Sequence, residues 1–329
     1  VYSESSKGKR IKEREHMKLF ERLKLKKREL KPRMVVSAMV TNYCTPDGMA
    51  TEKFIAYHEH KAKGGWGLII TEDYAITKTA GGFKNLPGLW EDAQIESHRK
   101  LTERVHAAGG TIAAQIYHAG RETSSAITGE QPVAPSAVRE PSMPETPREL
   151  SVEEIYELVE QFGDCARRAK EAGFDAVEVH GAHGYLVGAF ASPFSNKRSD
   201  EYGGTIRNRA RFGMEIIRNI KKKCGEDYPV IYRLSSVEYV PGGLEIEESK
   251  VIARLMEEAG ADCIHCSQGV YASTHTIIPP SVFPRAGYVE HAAEMKKAVH
   301  IPVIAVGRIN DVDIAESVLQ SGKADLVTM

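Results

Sequence analysis

Short apolar runs alternate along the chain with longer amphipathic stretches. Runs rich in β-branched residues are typical of buried strands, and the longer stretches repeat apolar residues at helical spacing. The eight predicted strands cover residues 33–39, 67–71, 111–117, 175–180, 229–234, 262–267, 302–306 and 324–327. The seven predicted helices cover residues 51–63, 92–108, 151–172, 205–223, 246–259, 288–299 and 312–320.

A glycine follows several of these helices, at Gly109, Gly173, Gly260 and Gly322. Glycine adopts the left-handed conformation that ends a helix, so each one separates a helix from the next strand. A β/α unit repeated in this way predicts a closed parallel barrel rather than an open doubly wound sheet, because eight strands can close and remove their edges. The predicted fold class is therefore α/β, a (β/α)8 TIM barrel.

The two ends of the chain set the predicted domain limits. The dipeptide His16-Met17 has the form of a junction with an added tag, so we expect a tag or disordered arm over residues 1–16 and one barrel domain over residues 17–329. An eighth helix should follow Met329 to cover the last and first strands. We therefore expect a barrel truncated before that helix and a natural chain that continues.

The segment from residue 120 to residue 150 interrupts the β/α pattern. It holds five of the 15 prolines, which oppose helix formation. Long connections in compact domains tend to be functional. We expect no helix here, and an excursion over the catalytic face of the barrel.

Composition excludes several classes of protein. The 329 residues are 42% hydrophobic and 27% charged, as in a soluble globular protein, and no apolar run reaches the ~18 residues that span a membrane. A net charge of -1 gives no basic field for nucleic acid. The five cysteines lack disulfide-framework spacing, so we expect reduced thiols and a cytoplasmic protein. Cys263 and Cys266 are three apart on a strand and point to opposite faces, which disfavours a metal site.

The candidate chemistry follows the fourth predicted strand. That strand leads into a glycine-rich loop with His180, His183 and Tyr185, and ligands of parallel barrels lie at the carboxyl ends of the strands. At the end of the seventh strand, Gly307 and Arg308 precede a helix and could cradle a phosphate.

The segment from residue 174 to residue 212 resembles the old yellow enzyme family of flavin-dependent ene reductases. That family reads H-x-x-N/H-x-Y at the end of its fourth strand, then N-x-R-x-D-x-Y-G-G and R-x-R-F. The matching residues are His180, His183, Tyr185, Asn196, Arg198, Asp200, Tyr202, Gly203, Gly204, Arg209, Arg211 and Phe212. The loop after the sixth strand is most similar to longer members, which resemble 2,4-dienoyl-CoA reductase and clostridial enoate or bile-acid reductases. Those members carry a 4Fe-4S cluster and a second nucleotide domain, which we expect only in a longer parent chain.

The resemblance implies an FMN cofactor with NADH or NADPH as reductant. The residues that it assigns to FMN are Ala38, Met39 and Val40 along the ring, Gln115 at the pyrimidine edge, Arg233 at N1, and Gly307 with Arg308 at the phosphate. A flavin needs such a cation near N1 when it is reduced. Val40 departs from the family, which has a hydrogen-bonding Thr or Cys there.

The resemblance also implies the reaction. Hydride would pass from the nicotinamide through flavin N5 to the β-carbon of an enone, enoate or enoyl thioester. His180 and His183 would hold the carbonyl oxygen of the substrate, and Tyr185 would protonate the α-carbon. Tyr271 or His275 could add a substrate contact.

The sequence is also compatible with other roles for Arg233 and other functions for the protein. Arg233 could instead form an ion pair with Glu178 inside the barrel. The protein could be a phosphate-binding lyase or isomerase without flavin, for which only Glu72 or Asp73 stands at a strand end as a base, or a catalytically idle flavin-binding paralogue. In each case we expect a small-molecule partner and no nucleic-acid or membrane partner, and a homo-oligomer is compatible with the sequence.

Overall fold

The computed structural model describes residues 17–329, so the expected tag over residues 1–16 lies outside the described residues. Eight parallel strands close into one barrel. They are Met34–Val36, Leu68–Ala75, Ile112–Tyr117, Ala176–Gly181, Val230–Ser235, Cys263–Ser267, Val303–Ala305 and Leu326–Thr328. The eighth strand pairs with the first, with Val327 opposite Met34. The predicted (β/α)8 fold is confirmed.

Helices connect successive strands. The seven long ones are Glu52–Lys63, Ile95–Ala107, Val152–Glu171, Ile206–Cys224, Ile246–Ala259, Val289–Ala298 and Val312–Gln320, each within a few residues of its prediction. The shorter ones are Ser125–Thr128, Leu186–Ala191 and Thr274–Ile277, with 3-10 turns at Lys18–Phe20, Asp92–Gln94 and Tyr271–Ser273. None of the described helices combines the length and apolar character that crossing a bilayer requires.

The inside of the barrel is apolar at one end and polar at the other. The apolar layer consists of Val35, Leu68, Ile70, Ala113, Ala176, Ile231, Cys263, Ile304 and Leu326. A hairpin of Leu23–Leu25 and Arg28–Leu30 adds Leu25 and Leu30 to this layer. Strand side chains alternate between faces, so the inward positions two residues further along are Gln115, Glu178, Arg233 and His265. The sequence therefore places its buried polar groups toward the carboxyl ends of the strands.

The proline-rich excursion has more regular structure than we expected. The prediction that this segment contains no helix was wrong, because Ser125–Thr128 forms one helical turn. That turn lies before the prolines. Val133–Ala134 then pairs in parallel with Arg148–Glu149. Just before the excursion, the His118 carbonyl accepts a hydrogen bond from the Leu186 N–H at 3.0 Å, which joins the end of the third strand to the fourth-strand loop.

Arg198 fastens this excursion to the barrel. Its Nη1 donates to the backbone carbonyls of Pro135 at 3.0 Å and Leu150 at 2.6 Å, and its Nε contacts the Asp200 carboxylate at 3.0 Å. In the same motif, the Asn196 amide donates to two backbone carbonyls at 2.7 Å. These motif residues hold loops together, because buried carbonyls need donors that the loop backbone does not supply.

Replacing Arg198 with methionine should release the excursion. Two carbonyls would lose their donors, so we expect the free energy of unfolding to fall by about 2–4 kcal/mol. Amide hydrogen exchange should accelerate most over residues 130–150, with urea denaturation giving the overall loss. Arg207→Met is the matched control, because the Arg207 side chain is 65% exposed and its ion-pair partner in the described chain is Glu258, at 3.7 Å. Equal effects of the two substitutions would contradict the role of Arg198 in holding the excursion to the barrel.

Candidate functional site

The loop after the fourth strand brings the three predicted side chains together. His180 lies in the strand, and the chain then turns through His183 at φ +62° and Gly184 at φ +87° before the helix Leu186–Ala191. A non-glycine residue at positive φ is uncommon and here redirects the loop. The His180 ring lies 4.9 Å from that of His183 and 4.7 Å from that of Tyr185, between centroids. All three are buried.

His180 is held through its Nδ1 atom. The backbone N–H of Ala182 lies 3.3 Å from this atom and donates to it, so Nδ1 carries a lone pair and the ring proton of a neutral imidazole is on Nε2. Burial lowers the pKa of His180 well below its usual value, and the charge of Arg233 lowers it further. His180 is therefore neutral at pH 7 and keeps one N–H.

His183 contacts the sixth strand. Its Nε2 lies 2.7 Å from the Ser267 hydroxyl, and its backbone N–H donates to the Ser235 hydroxyl at 3.0 Å. Burial lowers its pKa well below the usual value, and Arg233 and His180 add to this shift. Two neutral imidazoles thus stand side by side, each with one N–H to donate.

Tyr185 forms a hydrogen bond with a second phenol, that of Tyr271. The hydroxyls of Tyr185 and Tyr271 are 2.8 Å apart. Burial raises the pKa of Tyr185 well above its usual value, and the negative charge of Asp73 raises it further. Burial also raises the pKa of Tyr271 to about 12. Both phenols therefore keep their protons at neutral pH. The sequence named Tyr271 only as a substrate contact.

Glu178 has partners other than the one considered from sequence. Its carboxylate accepts from the Gln115 amide at 2.7 Å and contacts His265 Nδ1 at 2.7 Å. Burial opposes its ionisation, but His265, Arg233 and Gln115 together hold its pKa below the usual value. Within residues 17–329, Glu178 pairs with His265 and not with Arg233. The alternative of an Arg233–Glu178 ion pair was wrong.

Arg233 is left with unsatisfied donor capacity. Its Nε is buried without a hydrogen-bond partner in the described chain, and its Nη2 makes one long contact of 3.5 Å with Ser267. Asp73 lies on the second strand, opposite Gln115 of the third, and burial raises its pKa to about 7. The sequence analysis named Asp73 only as a possible base of a lyase or isomerase and gave Ser267 no role, although strand alternation from His265 places Ser267 in the barrel.

The first strand ends earlier than predicted. It stops at Val36, and residues 37–40 continue as irregular chain. The Met39 side chain is 60% exposed, Ala38 packs against the apolar barrel layer, and Val40 packs on the main core. The next hydroxyl, of Thr41, donates to Glu72 at 2.7 Å, so it is not free to replace the donor that Val40 lacks.

Gly307 and Arg308 both adopt left-handed backbone conformations, at φ +119° and +53°. A side chain at position 307 would meet Tyr288, since a Cβ there would lie 2.7 Å from its ring. Arg308 donates to the Ser281 carbonyl at 2.9 Å. The first amides of the following helix are capped by Asp311, so the backbone of residues 307–308 and the Arg308 guanidinium are what a phosphate could use.

These groups fit the FMN cofactor that the family resemblance implies. A flavin ring requires a hydrogen-bonding amide and a cation at its pyrimidine edge. Gln115 on the third strand and Arg233 on the fifth, which flank the fourth strand, supply these two groups. Among residues 17–329, the Nε of Arg233 and the hydroxyl of Ser37 are buried without a hydrogen-bond partner, as expected of groups that bind a polar ligand.

Comparison with known proteins gives a consistent result. The model of the NADH:flavin oxidoreductase / NADH oxidase family matches residues 18–329. An NADH oxidase of Thermoanaerobacter brockii is 45% identical over 91% of this chain and 46% of its own length. A cinnamate reductase of Clostridium sporogenes is 36% identical over 94% of this chain and 50% of its own length. The chain thus spans about half the length of these relatives.

A solved structure supports the same assignment. An old yellow enzyme homologue from Zymomonas mobilis superposes with a TM-score of 0.81 and 29% identity, over 94% of this chain and 88% of the other. At that similarity the fold is shared across the whole barrel.

The buried histidines should make the protein sensitive to acid. The native pKa of His183 lies below the unfolded value of about 6.5, so under that pH the unfolded state binds a proton that the native state excludes, and stability falls as pH falls. His183→Asn, which tolerates positive φ, should reduce the stability lost between pH 6.5 and 5.5 by about 1 kcal/mol in urea denaturation. His300→Asn is the control, with a side chain 96% exposed. An unchanged pH dependence in His183→Asn would disprove its neutrality.

Proposed function

The chain belongs to the NADH:flavin oxidoreductase / NADH oxidase family, and from this premise we propose that it is an FMN-dependent ene reductase that uses NADH or NADPH. Its substrate would be an activated alkene, which receives hydride at the β-carbon and a proton at the α-carbon. One observation carries the proposal: the buried rings of His180 and His183 lie together, and the His180 ring lies against that of Tyr185. When bound, FMN supplies the redox chemistry between the nicotinamide and the alkene.

The residues proposed to hold FMN come from four parts of the barrel. They are Ala38, Met39 and Val40, then Gln115, Arg233, and Gly307 with Arg308. Glu178 accepts one amide hydrogen of Gln115, which leaves the amide oxygen and the second hydrogen for the pyrimidine edge. The Arg233 guanidinium would supply the positive charge that a reduced flavin needs, and its charge acts on Glu178, the partner of Gln115.

His180 and His183 would act on the carbonyl oxygen of the substrate. Charge develops on that oxygen as hydride reaches the β-carbon, and preorganised donors stabilise such charge strongly in a dry site. The low pKa of both histidines does not impair this role, because a neutral imidazole keeps one N–H. Neutral donors also avoid repulsion from Arg233.

Tyr185 would protonate the α-carbon. Its raised pKa keeps the phenol protonated until carbanion character develops next to it. Tyr271 holds the Tyr185 hydroxyl at 2.8 Å and is less deeply buried, so it can orient that proton and restore it after turnover.

Enones, enoates and enoyl thioesters are the proposed substrate class, since each conjugates an alkene with a carbonyl that the histidines can polarise. The relative named cinnamate reductase supports an enoate, and the chain spans half of that protein. A downstream 4Fe-4S cluster and second nucleotide domain are therefore proposed only for a longer parent chain. A cytoplasmic location is likewise a proposal. Membership of an oxidoreductase family disfavours the alternative of a flavin-free lyase or isomerase.

Anaerobic titration of the purified protein tests the function. We expect a flavin absorbance spectrum that bleaches with NADH or NADPH and returns when 2-cyclohexenone or cinnamate is added. Cyclohexanone, which has the same carbonyl but no conjugated alkene, is the control and should leave the flavin reduced. Protein that binds no FMN, or that is reoxidised by oxygen and by none of the alkenes, would contradict the proposal.

Tyr185→Phe should separate the two half-reactions. Reduction by the nicotinamide should be unaffected, and alkene reduction should slow about 100-fold, because the ring is kept and only the proton donor is lost. Stopped-flow measurement of each half-reaction gives both rates.

Tyr271→Phe is the matched change, and it should slow alkene reduction by about tenfold at most, because Tyr185 keeps its own proton. Wild-type alkene reduction in Tyr185→Phe would rule out Tyr185 as the donor.

A further inference from the structure

We propose that Ser267 is a positioning residue that places the ring proton of His183 on Nδ1. The catalytic consequence rests on the proposed function above, but the tautomer itself is a property of the fold. Ser267 ends the sixth strand, and its hydroxyl lies 2.7 Å from His183 Nε2.

The partners available to the Ser267 hydroxyl determine which group donates in this hydrogen bond. The side chain is buried, with 2% of the residue exposed, so its proton needs an acceptor inside the protein. Within residues 17–329, His183 Nε2 is the one acceptor within hydrogen-bond distance of it. The other neighbour is Arg233 Nη2 at 3.5 Å, and a guanidinium can only donate.

The reverse arrangement leaves a buried proton without a partner. If His183 donated from Nε2, the Ser267 oxygen would face two donors and its own proton would have no acceptor in the described chain. With Ser267 donating to Nε2, the hydroxyl proton is satisfied and the oxygen stays available to Arg233. His183 is then a neutral ring with its proton on Nδ1, and that N–H has no partner among residues 17–329.

The two histidines therefore hold opposite tautomers for separate reasons. The Ala182 backbone N–H occupies His180 Nδ1 and leaves the proton on Nε2, whereas Ser267 occupies His183 Nε2 and leaves the proton on Nδ1. Each ring has one atom fixed by the protein and one free N–H. This pairing leaves a free N–H on both rings for the substrate, whereas a His183 proton on Nε2 would be directed at Ser267.

Two serines on neighbouring strands share the task of holding His183. Ser235 and Ser267 are opposite each other in the ladder between the fifth and sixth strands. The Ser235 hydroxyl accepts from the His183 backbone N–H at 3.0 Å, while Ser267 holds the ring. Backbone and ring are thus fixed independently, so the ring contact can be removed without releasing the turn.

Nitrogen-15 NMR of histidine-labelled protein tests the tautomer directly. In the full chain we expect His183 to show a protonated Nδ1 and an unprotonated Nε2, with the resonances assigned by their loss in His183→Asn. Ser267→Ala should shift this pair toward a mixture of tautomers, and Ser267→Thr, which keeps the hydroxyl, should restore it. Ser236→Ala is the control, because that buried hydroxyl bonds to the Ser267 carbonyl and to His291 and not to His183.

Kinetics then tests the catalytic consequence. Ser267→Ala should lower kcat for alkene reduction by about tenfold, less than complete loss of an oxyanion donor, while KM for the nicotinamide is unchanged. Ser267→Thr should recover most of the rate.

Two results would overturn the proposal: a protonated Nε2 on His183 in the unaltered protein, or a tautomer that does not respond to Ser267→Ala. Failure of alkene turnover in every variant, with the tautomer shift present, would refute the proposed function and leave the role of Ser267 in tautomer control intact.

Discussion

Burial of polar groups at one end of a closed barrel is the constraint on which this structure depends. A parallel barrel has an inside that water does not fill, and each polar atom there must find a partner within the protein or in a ligand. Gln115, Glu178 and His265 Nδ1 bond to one another across three strands, while His265 Nε2 has no hydrogen-bond partner in the described chain. Arg233 is not fully satisfied in this way, and its unpartnered Nε marks the side of the site where the cofactor is proposed to bind.

The same constraint explains the protonation states of the site. Removing water disfavours every charged form, so the pKa values of His180 and His183 fall and that of Tyr185 rises. Each shift leaves a neutral hydrogen-bond donor at pH 7. Neutral donors close to the Arg233 cation suit a reaction in which negative charge appears only in the transition state.

The long motif after the fourth strand has two kinds of residue. His180, His183 and Tyr185 face the site, whereas the later members hold the surrounding loops. Arg209, for example, donates to the carbonyls of Ala191 and Gly204 at 2.9 and 2.6 Å and to Glu248. Arg198 does the same for the excursion. These arginines fix the loops because each guanidinium carries five donors and can serve several carbonyls at once.

The sequence by itself determined the order of strands and helices, the closed parallel barrel and the loop that carries His180, His183 and Tyr185. Apolar periodicity and glycine positions encode these features locally. Only the tertiary structure decided the partners: His183 with Ser267, Tyr185 with Tyr271 and Glu178 with His265. These pairs are 84, 86 and 87 residues apart. Their contacts require the register of the fourth, fifth and sixth strands, and register arises when the barrel closes, so no local pattern could show which polar groups would meet.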